Sequence, residues 1–304
     1  MSKALLTKLL AYFMIYIVWG SNFIAIAFAI QSIPPFLTIA LRFLLAGLFF
    51  FLISKRGNYS LAVCREGVIT GFFLNILGTG ALAWSVQYIP SGVAAVIVAA
   101  IPIWMILLDF GSLQKNLRNP RLVIALLLGV SSILLISLTR GSFVVATSST
   151  QFFLSLTVLI GGTLAWSYGS LYSKRLPARG SLIAFLAVQM TSAGAGLLVI
   201  SLMIEELHTL NLTVITQKSW LALLYLIVFG SILGYLSYVW LLRNVEPVKV
   251  GFYALVNPVI AIFLGWWLAD EIITPSILAG TSFVLLAVLL IHARQYSRIK
   301  TTAK

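Results

Sequence analysis

Ten apolar stretches of about twenty residues each, separated by short polar or charged breaks, fill nearly all of this 304-residue chain. They lie at roughly 8–30, 35–53, 67–88, 92–111, 121–138, 151–173, 181–203, 219–242, 248–268 and 275–293. Each is long enough, at about 1.5 Å rise per helical residue, to cross a hydrocarbon core of about 30 Å. With 61% hydrophobic and 9% charged residues and a mean hydropathy of +1.07, no water-soluble fold could hide this much apolar surface. The runs are continuous rather than short and alternating. Helices therefore answer the demand for internally satisfied backbone groups better than barrel strands do. The expected fold is an all-α polytopic membrane protein of ten transmembrane helices with no soluble domain. The N-terminal span lacks a small-residue cleavage pattern and reads as retained rather than as a signal peptide. Cys64 is the single cysteine and can form neither an internal disulfide nor a metal cluster.

A net charge of +13 would suggest nucleic acid in a soluble protein. Here its placement is a topology signal. If the N-terminus is cytoplasmic, the inner segments hold Lys3, Lys8, Lys55, Arg56, Arg65, Lys115, Arg118, Arg121, Lys174, Arg175, Arg179, Arg243, Arg294, Arg298, Lys300 and Lys304. The outer segments hold only Arg140 and Lys218, together with Glu205, Glu206, Asp270 and Glu271. This positive-inside bias, with an even span count, predicts a multi-pass inner-membrane protein with both termini cytoplasmic.

An offset of 156 residues lays Gly78 on Gly234, Trp84 on Trp240 and Pro102 on Pro258. An offset of 147 lays Trp19 on Trp166, Ala40 on Ala187 and Gly47 on Gly194, and one of 151 pairs Gly129 with Gly280 and Ser131 with Ser282. Two halves of five spans follow, 1–140 and 150–304. Five is odd, so the second half must enter the membrane inverted. Inverted repeats are an architecture of secondary transporters, with the binding site near midplane and access alternating as one half rocks against the other. The competing reading is a duplication that merely builds a stable bundle.

The segment Trp19-Gly20-Ser21-Asn22-Phe23, the pair Arg42-Phe43, the turn Pro90-Ser91-Gly92-Val93-Ala94-Ala95 and the run from Asn257-Pro258 through Gly265 to Asp270-Glu271 resemble the drug/metabolite transporter superfamily, in its EamA branch. The resemblance covers both halves. It implies a ten-helix inner-membrane carrier of two inverted five-helix repeats, with helices 1, 3, 4, 6, 8 and 9 around a central path. It also implies export of amino acids, other metabolites or toxic compounds. Two departures stand out. The acidic turn seen in the second half is Gln114-Lys115 in the first, and Lys249 sits where small or apolar residues are commoner.

Polar and aromatic side chains within spans need a place away from lipid, and a central cavity supplies it. Tyr12, Tyr16, Trp19 and Asn22 follow at spacings of four and three along one helix face. Asn75 and Thr79 do the same in the third span, and Ser231, Tyr235 and Tyr238 in the eighth, with Ser231 opposite Asn75 and Tyr235 opposite Thr79 under the 156-residue offset. Tyr253 and Asn257 lie one turn apart in the ninth, while Trp104 and Trp166 complete the aromatic set. These are the candidate substrate-binding residues. Each has a plainer reading. Tyr12, Trp84, Trp240, Trp266 and Trp267 suit interfacial anchors, and the asparagines suit interhelical bonds. Pro102 and Pro258 interrupt spans four and nine at matching depth, as gating breaks or as passive kinks. Gly92, Ala95, Ala99 and the run Ser192 to Gly196 read as close-packing surfaces. Arg42, about seven residues inside its span, and Lys249 are the charges whose role is open, substrate attraction or structure.

No Asp, Glu or His lies clearly mid-span, which favours facilitated efflux or exchange over a proton relay. No catalytic constellation, metal cluster or cofactor motif is present, so an enzyme is not expected. The leading expectation is a secondary exporter of small organic metabolites, such as amino acids or amphipathic toxic compounds. Its partners would be a small-molecule substrate and the lipid bilayer, with no nucleic acid and no cofactor, and a monomer would be the working form. The alternatives are a carrier of phosphorylated or nucleotide-type metabolites, and a non-transporting pore or receptor.

Overall fold

Prolines and small hydroxyl side chains set where the helices begin. In the computed structural model, which describes residues 3–54, 59–108, 118, 120–137, 148–175, 181–245, 250 and 253–302, Pro35, Pro120 and Pro275 open helices at the position where a missing N–H costs nothing. Ser60, Ser181 and Thr216 cap others by accepting from the backbone N–H three residues on. Ser148 and Gln151 form a reciprocal capping box, each accepting from the other's backbone N–H.

The helices are α1 (Leu6–Ala29), α2 (Pro35–Ile53), α3 (Leu61–Ser85), α4 (Ser91–Leu108), α5 (Pro120–Ser137), α6 (Ser149–Arg175), α7 (Leu182–Met203), α8 (Gln217–Asn244), α9 (Tyr253–Ala269) and α10 (Pro275–Thr302). There is no strand among the described residues. Seven of these helices (α1 to α4 and α6 to α8) are long and apolar enough to cross a membrane, while α9 and α10 hold shorter apolar stretches, Val256–Ala269 and Pro275–Ala287. The protein is a multi-pass membrane protein. Leu48, Leu52, Leu127, Leu134, Phe153, Leu224 and Trp267 point outward, while Thr38, Arg42, Asn75, Ser167, Gln189, Ser231 and Asn257 are buried. This inside-out distribution is what a lipid solvent selects. Trp266 and Trp267 stand exposed, in keeping with the anchor reading.

The helices pack across the chain rather than within each half. α2 lies along α7, α5 along α10 and α4 against α9. The remaining major contacts come in matched pairs: α3 with α6 and α1 with α8, α4 with α6 and α1 with α9, α3 with α7 and α2 with α8. The crossing of α2 and α7 is backbone-close at two glycines. A Cβ on Gly194 would sit 2.7 Å from the Leu44 N and 3.0 Å from the Ala40 O, and one on Gly47 would meet Thr191 Oγ1 and lie 2.8 Å from the Thr191 N. Gly47 and Gly194, like Leu44 and Thr191, are 147 residues apart.

Local winding departs from the regular helix where the sequence shows no sign of it. α1 is π-wound at Met14–Val18, α3 at Gly71–Thr79 and α8 at Leu226–Leu233. Such segments admit an extra residue per turn and rotate the face beyond them, which is why they gather at functional sites. The two prolines also behave differently. Near Pro102 the ladder of α4 tightens, with Ala100 N bonding Ile97 O at 3.1 Å and Ile103 N bonding Ala100 O at 2.9 Å, and the helix restarts at Ile101. α9, by contrast, runs unbroken through Pro258. The gating break weighed there from sequence is not seen: the proline costs Ala254 O its usual donor, yet the helix continues, and the Asn257 amide nitrogen bonds the neighbouring Tyr253 O at 3.2 Å.

One end of the bundle is tied by two carboxylates. Glu206 accepts from Phe36 N at 3.1 Å, Leu37 N at 2.8 Å and Ser201 Oγ at 2.7 Å, and so caps α2. Glu271 accepts from Ser91 N at 2.8 Å and Gly92 N at 3.0 Å, and so caps α4. In both cases the preceding residue, Glu205 at φ 60° or Asp270 at φ 53°, adopts the left-handed conformation that turns the chain out of a helix and aims the next side chain. A Cβ at Gly265 would fall 2.8 Å from Glu271 Cδ. That glycine leaves the room in which the carboxylate reaches α4.

Candidate functional site

At mid-length the helices enclose a cavity of about 70 Å³, room for only a handful of waters. α1 contributes Trp19, Asn22, Phe23 and Ile26; α2 contributes Arg42; α3 contributes Gly78, Thr79 and Leu82. The far wall comes from Val98 and Ile101 of α4, Leu159, Gly162, Thr163 and Trp166 of α6, Tyr235 of α8, and Tyr253 and Asn257 of α9. Farther along α1 and α3 a second depression of about 430 Å³ opens toward the acidic end, lined among others by Gln31, Gln87, Ser91, Asp270 and Glu271.

Trp19 is the hub of the aromatic wall. Its ring meets Trp166 at 5.7 Å and Tyr253 at 5.4 Å edge-on, Tyr235 at 5.4 Å and Tyr238 at 4.8 Å, spacings at which aromatic quadrupoles attract. Its indole N–H donates to Gly230 O at 3.2 Å. A Cβ at Gly234 would lie 2.5 Å from Trp19 Nε1, and one at Gly78 would lie 2.9 Å from Trp166 Cε3, so each tryptophan rests on a glycine at the same offset.

Beside this wall are two hydrogen-bonded pairs of matching design. Gln189 Nε2 donates to Asn75 Oδ1 at 2.8 Å, joining α7 to α3. Arg42 Nε donates to Ser231 Oγ at 2.6 Å, joining α2 to α8. Arg42 precedes Gln189 by 147 residues, and Asn75 precedes Ser231 by 156. At the cavity itself Thr79 Oγ1 and Tyr235 Oη lie 3.2 Å apart and share a hydrogen bond across the same 156-residue offset. Asn22, with its amide nitrogen donating to Val18 O at 3.2 Å, turns its oxygen to Arg42 Nη2 at 3.3 Å. Asn257 donates to Tyr16 O at 3.0 Å and ties α9 to α1.

Of the residues singled out in the sequence, Trp19, Asn22, Arg42, Thr79, Trp166, Tyr235, Tyr253 and Asn257 line the cavity. Asn75 and Ser231 stand one layer behind, fully buried in the pairs just described. Tyr238 packs on Trp19 and bonds Ser170 Oγ at 2.9 Å. Trp104 joins a separate apolar cluster with Ile103, Leu128 and Ala287. Pro102 and Pro258 are not among the lining residues, and Lys249 lies outside the described residues. The sequence reading passed over Leu159, Gly162 and Thr163. Their spacing with Trp166, three and four residues apart along α6, was a legible stripe.

Three polar features of the wall bear on what it could hold. Arg42 is 2% exposed and makes no ion pair among the described residues. The indole N–H of Trp166 lies buried against the hydroxyls of Tyr253 and Tyr238, without a well-aligned hydrogen bond to either.

The EamA-like transporter family matches residues 6–138 and 153–293. The chain is 30% identical to the uncharacterized inner membrane transporter YedA of Escherichia coli, over 94% of this chain and 90% of that protein. It is 25% identical to the uncharacterized transporter YoaV of Bacillus subtilis, over 88% and 90% of the two chains. It is 28% identical to the S-adenosylmethionine/S-adenosylhomocysteine transporter of Chlamydia trachomatis, over 94% and 90%. A crystal structure of a protein 17% identical in sequence superposes with a TM-score of 0.62, covering 95% of this chain and 98% of its own, and so shares the fold.

Proposed function

Because the chain belongs to the EamA-like transporter family, we propose that it is an inner-membrane exporter of small amphipathic metabolites of the amino-acid class, working by alternating access around the Trp19–Trp166 cavity. In this reading ten transmembrane helices form two inverted five-helix repeats, 1–140 and 150–304, with both termini cytoplasmic. The observation that carries it is the exchange of matching bonds between halves. Arg42–Ser231 mirrors Gln189–Asn75, Trp19 on Gly234 mirrors Trp166 on Gly78, and Thr79 meets its own counterpart Tyr235. Sites shared by the two halves at mid-depth are what a rocking carrier uses. An aromatic wall with amides and one cation suits a solute with an apolar part and few charges. The relative from Chlamydia trachomatis is named for two amino-acid derivatives, which supports the same class.

Purified protein in proteoliposomes should give saturable uptake of a labelled amino acid such as L-tryptophan, accelerated by the same compound inside. It should run without an imposed pH gradient, because no Asp, Glu or His among the described residues lines the cavity. Linear, non-saturating flux without counterflow would instead assign a pore.

The carboxylate ties at the acidic end act in this cycle as latches. Each caps a helix of the first half with a residue of the second, and a helix cap is worth about 0.5–2 kcal/mol. Glu206→Ala with Glu271→Ala should therefore loosen that end. In a Cys64→Ser background, a cysteine at Thr79 should react faster with a membrane-impermeant maleimide added from the acidic side. Unchanged labelling would show that the ties do not hold the path closed.

A further inference from the structure

We propose that Arg42 binds a carboxylate of the transported solute, so that the protein selects carboxylates over their amides and decarboxylated amines. This rests on the cavity being the transport site. The case begins with the matched pairs. Gln189 stands where Arg42 stands under the 147-residue offset, and a neutral amide there bonds Asn75 and joins two helices. Holding α2 to α8 through Ser231 thus needs a side-chain donor, not a charge. Only the charged member of the two lines the cavity. A buried cation inside a membrane protein calls for a counter-charge, and no described acidic side chain pairs with Arg42.

The other donors of the wall point the same way. Trp166 Nε1 can only donate, and the Tyr253 hydroxyl it faces keeps its own proton to donate; neither makes a well-aligned bond, and both side chains line the cavity with Arg42. Asn22 turns its oxygen to the guanidinium and is already used. Arg42 has five N–H donors, of which Nε serves Ser231 and Nη2 faces Asn22. A wall with more donors than acceptors around an uncompensated guanidinium complements a group that only accepts, and an ionised carboxylate is that group. A cationic solute would meet the guanidinium with like charge.

The test compares four indole probes, L-tryptophan and indole-3-propionate with a carboxylate, and L-tryptophanamide and tryptamine without one. It measures the thermal midpoint of purified protein in detergent and competition for labelled L-tryptophan in counterflow. Wild type is expected to respond to the two carboxylates and not to the other two. Arg42→Gln combined with Ser231→Asn copies the Gln189–Asn75 pair and should keep the ligand-free midpoint. It should lose about tenfold to a hundredfold in apparent affinity for the carboxylates, the range for a hydrogen bond to a charged group, and with it the discrimination against the amide. Arg42→Lys, which keeps the charge, should retain the preference for carboxylates. The proposal is overturned if no carboxylate probe affects wild type, if the double variant discriminates as wild type does, or if Arg42→Lys loses the preference. Trp166→Ala separates the two layers of inference. Loss of all probe responses there, with unchanged selectivity in the double variant, would keep the site and remove the role of Arg42. Unchanged responses in Trp166→Ala would remove the site.

Discussion

Gly194→Val and Gly47→Val should each lower the thermal midpoint and the yield of folded protein sharply, by about 1–3 kcal/mol for each. The reason is what the added carbons would meet. At Gly194 they run into Leu44 N and Ala40 O, and at Gly47 into Thr191, atoms of the partner helix backbone that cannot swing aside. Between lipid-immersed helices, close approach over small residues is a main source of attraction, because burying apolar surface away from lipid gains little. Prising α2 from α7 would also strain the Arg42–Ser231 and Gln189–Asn75 bonds, which start from the same two helices. Gly161→Val is the control, since nothing lies within 4 Å of its Cβ position. Fluorescence-detected gel filtration after a temperature series measures all three. Equal midpoints for Gly194→Val and Gly161→Val would contradict the packing described.

Trp166→Ala should abolish transport, a loss of at least about tenfold, while the protein still inserts. It removes a ring that meets Trp19 at 5.7 Å and Tyr235 at 6.0 Å together with a donor N–H in the cavity wall. Trp166→Phe separates the two contributions. It keeps an aromatic ring and deletes a buried N–H that faces the Tyr253 and Tyr238 hydroxyls without a well-aligned bond, so stability should change little. Transport should nevertheless fall about threefold to tenfold, the worth of one hydrogen bond to the solute. Trp19→Phe should behave in the opposite way, with a lower midpoint because Gly230 O loses its donor. Proteoliposome flux and thermal midpoints on the same preparations decide the matter. If both phenylalanine variants lose stability and flux in proportion, Trp166 serves packing alone.

The tryptophans, Thr79 and Tyr235 were legible in the sequence because their types, spacing and offset coincided. Asn75 and Ser231 carried the same signals, yet they stand behind the wall. Asn75 is one turn from Thr79 on what a regular helix would make a single face, but π winding from Gly71 to Thr79 turns that face, and Gln189 waits on the other side. Trp104 looked like a wall residue and instead packs with α5 and α10. The acidic residues near 205 and 270 were read as loop charges; their capping of α2 and α4 depends on helices distant in sequence.

The sequence by itself determined the solvent and the element type. Runs of twenty apolar residues can satisfy their backbone in lipid only as helices, whatever their neighbours do. It also carried the offsets of 147 and 156 residues at which glycines and tryptophans recur. Which side of each helix faces the cavity was decided only by the tertiary structure. In a membrane the lipid-facing and core-facing surfaces are equally apolar, so hydrophobic periodicity loses its sense of inside. The rotation of each helix is then set by glycine contacts, local winding and a few buried hydrogen bonds, none of which exists until the two halves meet.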